Sequence, residues 1–216
     1  MALNQEALEV LAPHLRAAKV LSLGYPDLLI TAGACENLFG VKPAKFTNNG
    51  QWHKFDHPIP ETVELLRLLS STIECIDIHA SMGVEKLVDL NEKQSLGSYD
   101  LVIDAGTVEH CFNVGQAILN AANAVRQGGR IFHVPPMTMV NHGFYNLSPT
   151  LLWDFYRQND WTVEHFSAHT KHGPASLHPT ARFQAQGDSW MFFLARRNTH
   201  KPFKFPMQTK YMKKYR

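Results

Sequence analysis

Membrane anchorage finds no support in this chain: no apolar run approaches the roughly 20 residues that a bilayer-spanning helix needs. The amino terminus, residues 1–16, carries Glu6 and Glu9 and lacks the basic start and apolar centre of a secretory signal. Cysteine is scarce. Only three are present, Cys35, Cys75 and Cys111, odd in number and far apart. That excludes a disulfide framework or a paired-cysteine zinc site, and it implies free thiols in a reducing compartment, the cytoplasm. A GxGxxG turn is also missing. The glycine after the first apolar strand, Gly24, runs into Tyr25-Pro26-Asp27, which excludes a nicotinamide-dinucleotide fingerprint. Acidic residues are absent from 201–216, a stretch holding six of the 21 Lys and Arg, and the other 15 bases face 19 acids. A body of net charge −4 therefore carries a basic tail. Such a tail is either a solvated terminus or a contact for nucleic acid, an anionic lipid or a phosphorylated substrate.

What is present is enough for one α/β domain: 216 residues, 44% of them hydrophobic, predict a single unit over 1–200 followed by the tail. The rest of the chain is organised around Tyr99 to Met137. Leu101-Val102-Ile103 is a short apolar run of the kind found in a strand covered on both faces. Asp104-Ala105-Gly106-Thr107 breaks it. Val114, Ile118, Ala121, Ala122 and Val125 then recur at helical spacing, and Gly128-Gly129 stands where the helix would end. Ile131 to Val134 is the next strand, stopped by Pro135-Pro136. Two buried strands joined by a helix form a right-handed crossover, and ligands in such sheets bind beyond the carboxyl ends of the strands.

Around this centre the pattern predicts a helix over Leu3 to Ala18, a strand at 19–23, a helix opened by Pro60, and a strand at 73–79. A further helix is capped by Ser148 with Pro149 at its first position, and the last strand covers 189–196. The polar, aromatic connection 47–60 reads as a lid or wall over a pocket. Its His53, Asp56 and His57 suggest a metal set if helical, since two His four apart share a helix face, but Pro58 and Pro60 oppose that helix and no third ligand of fixed spacing is evident. The segment 165–187 reads as an insertion near the pocket, and the spacing of its His165, His169, His172 and His178 matches no standard metal site. No metal is expected. Between 137 and 149, Asn141, His142, Tyr145 and Asn146 cluster beside Phe144, as a substrate wall or as a turn network packed on the sheet.

The series of an Asp104-terminated strand, small loop, Glu109-His110, helix, Gly128-Gly129 and strand resembles the second half of a class I S-adenosylmethionine-dependent methyltransferase. GTVEHCFN with the downstream NHGFYNLSP resembles a bacterial branch often linked to surface sugars or small metabolites. The likeness runs from about residue 19 to residue 164. It implies an α/β, Rossmann-like, seven-stranded and mostly parallel sheet with one antiparallel edge strand and helices on both faces. It also implies S-adenosyl-L-methionine as cofactor and methyl transfer to an O or N atom of a small polar metabolite or sugar. On the cofactor side the resemblance points to Gly24, Tyr25, Asp77, Ile78, Asp89, Leu90, Asp104, Ala105, Gly106 and Glu109. Within that set Asp77 either takes the ribose hydroxyls or caps a strand end, and Asp89-Leu90 either meets the adenine or forms a plain turn. His110, His142 and Tyr145 are the candidates for handling the acceptor, and Asn141, Asn146 and His172 for binding it.

The departure is the first loop, where Gly24-Tyr25-Pro26-Asp27 replaces the family's glycine-rich turn. It keeps two other readings open: a same-fold enzyme that uses the aminocarboxypropyl arm of the cofactor, or a non-catalytic scaffold whose tail binds RNA or an acidic partner. Under the first reading the partner is a small molecule, with no membrane and no nucleic acid.

Overall fold

Val20-Leu21, Leu101-Val102-Ile103 and Ile131-Phe132 are apolar on both sides of the backbone, and strands of that kind require cover on both faces. In the computed structural model, which describes residues 2–185 and 187–212, they form the centre of an eight-stranded sheet. In chain order the strands are β1 (Ala2–Asn4), β2 (Lys19–Leu23), β3 (Asp27–Leu29), β4 (Phe46–Thr47), β5 (Ile59–Pro60), β6 (Thr72–Asp77), β7 (Lys86–Leu87), β8 (Tyr99–Asp104), β9 (Val125–His133), β10 (Trp161–Thr170), β11 (Gly173–Ser176) and β12 (Ser189–Arg197). The helices are α1 (Gln5–Leu15), α2 (Ala32–Phe39), α3 (Thr62–Leu69), α4 (Val114–Ala124), α5 (Pro149–Gln158) and α6 (Thr209–Met212), with 3-10 turns at Asn49–His53 and Val108–His110.

The main sheet has the order β11-β10-β12-β9-β8-β2-β6-β7. β7, β6, β2, β8 and β9 are mutually parallel, while β12 runs antiparallel to both of its neighbours, β9 and β10. The mostly parallel α/β sheet is thus as expected, with three differences of detail, the first being eight strands where seven were expected. The reversed strand β12 is internal, and the edge beyond β10 is taken by the short antiparallel β11. β12 can be internal because Met191 to Ala195 are all buried, so it has apolar cover on both faces.

Alternation along the strands divides the interior into two cores. Val20, Leu101, Ile103 and Phe132 face α1, α2 and α3, with Leu8, Leu11, Cys35 and Leu65 opposite them. Leu21, Val102 and Ile131 face α4 and α5, with Ile118, Ala121, Leu152 and Phe155 opposite. The three cysteines are free and buried, and burial pushes the Cys75 thiol up to about 12. They are inert packing groups.

Besides Pro60, which pairs in β5 while Glu61 caps α3, and Ser148, which makes no side-chain cap hydrogen bond to α5, four local expectations change. The first helix begins only at Gln5, because Ala2–Asn4 pairs in parallel with β3 and Asn4 Oδ1 accepts from the Ala7 amide at 2.9 Å. α4 stops at Ala124, four residues before Gly128-Gly129. The buried Arg197 ends it by donating to the Val125 carbonyl at 2.7 Å, and Gly129 instead fills a register shift where an added Cβ would stand 2.9 Å from the Asp100 carbonyl. β10 runs through His165 and His169 to Thr170, because Ser167 lies within hydrogen-bond distance of both imidazoles and Glu6 lies 2.8 Å from His169. The fourth change is the tail. Residues 201–212 lie along α5, with Asn159 bonded to both backbone groups of Lys204, Gln158 to both of Met207, and Asp154 to Thr209. Phe203 stacks on Phe155 at 5.6 Å. Lys213, Lys214 and Arg216 fall outside the described residues.

Candidate active site

At the carboxyl end of β8 the chain must turn sharply, and Asp104 organises the turn. Its buried carboxylate accepts from the Thr107 and Val108 amides at 2.9 and 3.3 Å. The other oxygen lies 2.6 Å from His133 Nδ1, and His133 Nε2 lies 2.7 Å from the Tyr156 hydroxyl. Burial first, and the nearby Asp104 charge second, hold the Tyr156 hydroxyl neutral by raising its pKa well above the ordinary value. A satisfied arrangement then follows: Tyr156 donates to Nε2, and Nδ1–H donates to Asp104. The Asp104 side chain, expected on the cofactor side, is thus engaged inside the protein, as are the previously unsuspected His133 and Tyr156.

The turn continues through Gly106, whose φ of +91° suits only glycine, into the Val108–His110 turn. A Cβ on Gly106 would lie 3.0 Å from Glu109 Oε1. Glu109 is fully buried, and among the described residues neither of its carboxylate oxygens meets a donor in hydrogen-bonding geometry. Burial first and the Asp104 charge second push its pKa up to about 8. The segment after β9 closes over it. Tyr145 N–H donates to the Glu109 carbonyl at 3.2 Å, the Tyr145 hydroxyl donates to the Phe112 carbonyl at 2.9 Å, and Asn146 Oδ1 accepts from Met139 N–H at 2.8 Å. Gly143 makes this closure possible, since a Cβ there would meet Glu109 and His110 atoms at 3.0–3.2 Å. The strap sets His142 Nε2 3.7 Å from Glu109 Oε1 and 5.2 Å, ring to ring, from His110. Burial, then the His142 charge, depress the His110 pKa.

These groups form one wall of a cleft of about 570 Å³, in the size range of small-molecule sites. Ala105, Gly106, Glu109, His110, Met139 and His142 line it from the strand ends. Opposite stand Ala2 and Asn4 of β1, Leu29 of β3, and Trp52 and His53 of the 49–53 turn. The 47–60 connection therefore borders the cleft, and His53 pairs with Asp27 at 3.0 Å. Asp188, Trp190 and Phe192 complete it. They reach it because β12 is reversed, so its start lies beside the end of β9, where Pro136 bridges to Trp190.

Of the predicted site residues, Ala105, Gly106, Glu109, His110 and His142 come together in this cleft, and the others do not line it. Gly24 (φ +81°) closes the turn after β2 by donating its N–H to the Ile76 carbonyl at 2.6 Å. Tyr25 is hydrogen-bonded to Glu61, the capping residue of α3. Asp77, at the end of β6, accepts through Oδ1 from His79 N–H at 3.2 Å; among the described residues its Oδ2 has no partner. Ile78 is exposed beside it. Asp89 bonds the backbone and side chain of Asn91, and Leu90 is buried in the core. Asn141 is exposed in a left-handed conformation, φ +63°, and His172 sits on the exposed β10–β11 turn. Trp190, at the start of the reversed last strand, was not among the expected site residues, and no local signal marks Ala2–Asn4, a strand of three residues.

No family model matches the chain, and no curated protein matches it. Among solved structures it is similar to TehB from Haemophilus influenzae, at 14% identity and a TM-score of 0.53 over 89% of this chain. The chain spans 60% of the TehB chain. It is also similar to the N-methyltransferase NodS from Bradyrhizobium japonicum WM9 in complex with S-adenosylhomocysteine, at 12% identity and a TM-score of 0.52, covering 90% of this chain and 86% of that one. The fold is the Rossmann-like α/β fold that these two structures share. At these identities the likeness concerns the fold.

Proposed function

We propose that the protein is an S-adenosyl-L-methionine-dependent methyltransferase acting on an O or N atom of a small polar metabolite or sugar. The observation that carries the reading is the position of the cleft, immediately beyond the carboxyl ends of β8 and β9, with Glu109, His110 and His142 in its wall. Open α/β sheets bind their ligands there.

The residues present suit the cofactor. Gly24 turns without a Cβ, and Asp77 keeps a free carboxylate oxygen at the end of β6, where two ribose hydroxyls can donate to it. Ala105 and Gly106 bring backbone to the cleft without bulk. When bound, the sulfonium supplies an already activated methyl group. The protein has to align the acceptor and take up its proton. His110 and His142 stand in the cleft wall where the acceptor would lie, whereas the Tyr145 hydroxyl is committed to the Phe112 carbonyl. Trp52, Trp190 and Phe192 supply apolar walls for the acceptor. No helix among the described residues is long and apolar enough to cross a membrane.

One observation favours a second reading. In place of a helix directly after the Gly24 turn the chain inserts β3, paired with β1, so the region of the cofactor's amino-acid arm is rebuilt. Reaction at the aminocarboxypropyl arm fits that change. A scaffold binding through its tail draws no support from 204–209, where Lys204, Met207 and Thr209 are held by Asn159, Gln158 and Asp154.

Calorimetric titration with S-adenosylmethionine and S-adenosylhomocysteine tests the proposal. Micromolar binding that Asp77→Ala abolishes is the expected result. Folded, ligand-free protein that binds neither compound would overturn it.

A further inference from the structure

Glu109 presents a problem that the methyl-transfer reading leaves unsolved. A fully buried carboxylate normally finds donors for its oxygens, and among the described residues both lack them. Glycine lines its surroundings: Gly106 leaves room beside Oε1, and Gly143 lets the strap approach Cγ to a distance at which a Cβ would stand 3.2 Å away. Close packing on those sides leaves the cleft as the direction from which a compensating charge can arrive. Two imidazoles stand there. One ligand atom from each of Glu109, His110 and His142 lies within 4.8 Å of the others. Atoms about 2.1 Å from one tetrahedral metal stand about 3.4 Å apart, and the Glu109 Oε1 to His142 Nε2 distance is already 3.7 Å. His142 is exposed, so its ring can turn the remaining distance inward.

We infer that Glu109, His110 and His142 form a divalent-metal site whose open coordination position faces the cleft. Two imidazoles and one carboxylate suit zinc, cobalt or manganese, whereas magnesium and calcium prefer all-oxygen sets. Three protein ligands with an open position are the arrangement of catalytic sites, in which a substrate oxygen can occupy the free place. The sequence pattern held no such set, because His142 lies 32 positions from His110 and the strap brings them together. That the oxygen bound there belongs to a methyl-accepting hydroxyl rests on the methyltransferase reading. The metal site itself does not.

The test is Co2+ titration of the untagged, chelator-stripped chain, followed by visible absorption and by metal analysis after dialysis, with Mg2+ as a control. The expected result is one Co2+ per chain with a d–d band, displaced by Zn2+ and not by Mg2+. Glu109→Gln and His142→Ala should each weaken Co2+ binding by roughly tenfold or more, while His200→Ala, a change at an exposed histidine that does not line the cleft, leaves it intact. Circular dichroism confirms folding, and His142→Ala is decisive should Glu109→Gln not fold. Wild-type protein that binds no Co2+, or folded variants that bind it like wild type, would overturn the inference. Because the readout needs neither cofactor nor acceptor, its failure is distinct from failure to bind S-adenosylmethionine.

Discussion

Tyr156 carries out a task at the residue scale that its place on an amphipathic helix does not announce. It is fully buried on α5, and its hydroxyl completes the series Asp104–His133–Tyr156 that anchors the turn leading into the cleft. Removing the hydroxyl in Tyr156→Phe leaves the buried His133 Nε2 without a partner, and loss of one partner of a buried pair costs about 1–3 kcal/mol. Urea unfolding should show that loss at unchanged m-value. Gly106→Ala is destabilising for two reasons, a φ of +91° and a Cβ 3.0 Å from Glu109 Oε1. The backbone part alone is about 1 kcal/mol. A melting temperature lower by a few degrees is expected in a domain of this size. At this scale the glycine and the Glu109-His110 pair were legible in the sequence. The lack of hydrogen-bond donors at the Glu109 oxygens among the described residues was not, because it depends on the strap at His142 and Gly143, more than thirty residues away.

At the element scale, β10 carries a polar row, His165, Ser167 and His169, on one side of a strand, with Glu6 of α1 at its end. His169 also stacks on Phe192 at 3.7 Å, and Trp190 lies 6.5 Å away on the same side. Burial depresses both imidazole pKa values below the unfolded value of 6.5. For His165 the second cause is the charge of His169, while Glu6 pulls His169 back upward. Below 6.5 the unfolded chain therefore binds protons that the folded chain refuses, and the unfolding free energy falls as pH falls through that window. His165→Gln keeps a partner for Ser167 and should flatten this acid limb in denaturation curves collected at several pH values. Strand β2 matched its sequence boundaries, since its apolar run is self-contained. α4 and β10 did not. α4 is stopped by Arg197, 73 residues beyond Ala124, and β10 is prolonged by hydrogen bonds to α1.

On the scale of the whole molecule, the tail joins the domain. Phe203 lies against Phe155 and beneath the Arg197 guanidinium, 5.0 Å from its ring centre, and six hydrogen bonds tie 204–209 to α5 and its capping residue Asn159. Deletion of 201–216 should therefore destabilise the protein. The Phe203 contact alone, partly buried, is worth about 1–3 kcal/mol. Thermal unfolding should shift down by several degrees. An unchanged melting temperature would return the tail to a loose, independent role.

Short-range information, the apolar runs of the central strands, the helical spacing of α4 and α5 and the break after Asp104, was enough for an α/β fold with a crevice beyond β8 and β9. Hydrophobic periodicity encodes it, and periodicity acts between near neighbours. Tertiary structure alone decided which groups share the cleft. Ala2 pairs with Asp27, Trp190 reaches Pro136 on a reversed strand, and the strap carries His142 to Glu109. Each of these meetings joins residues far apart in the chain, and its partner is chosen by strand order and close packing rather than by any pattern the local sequence contains.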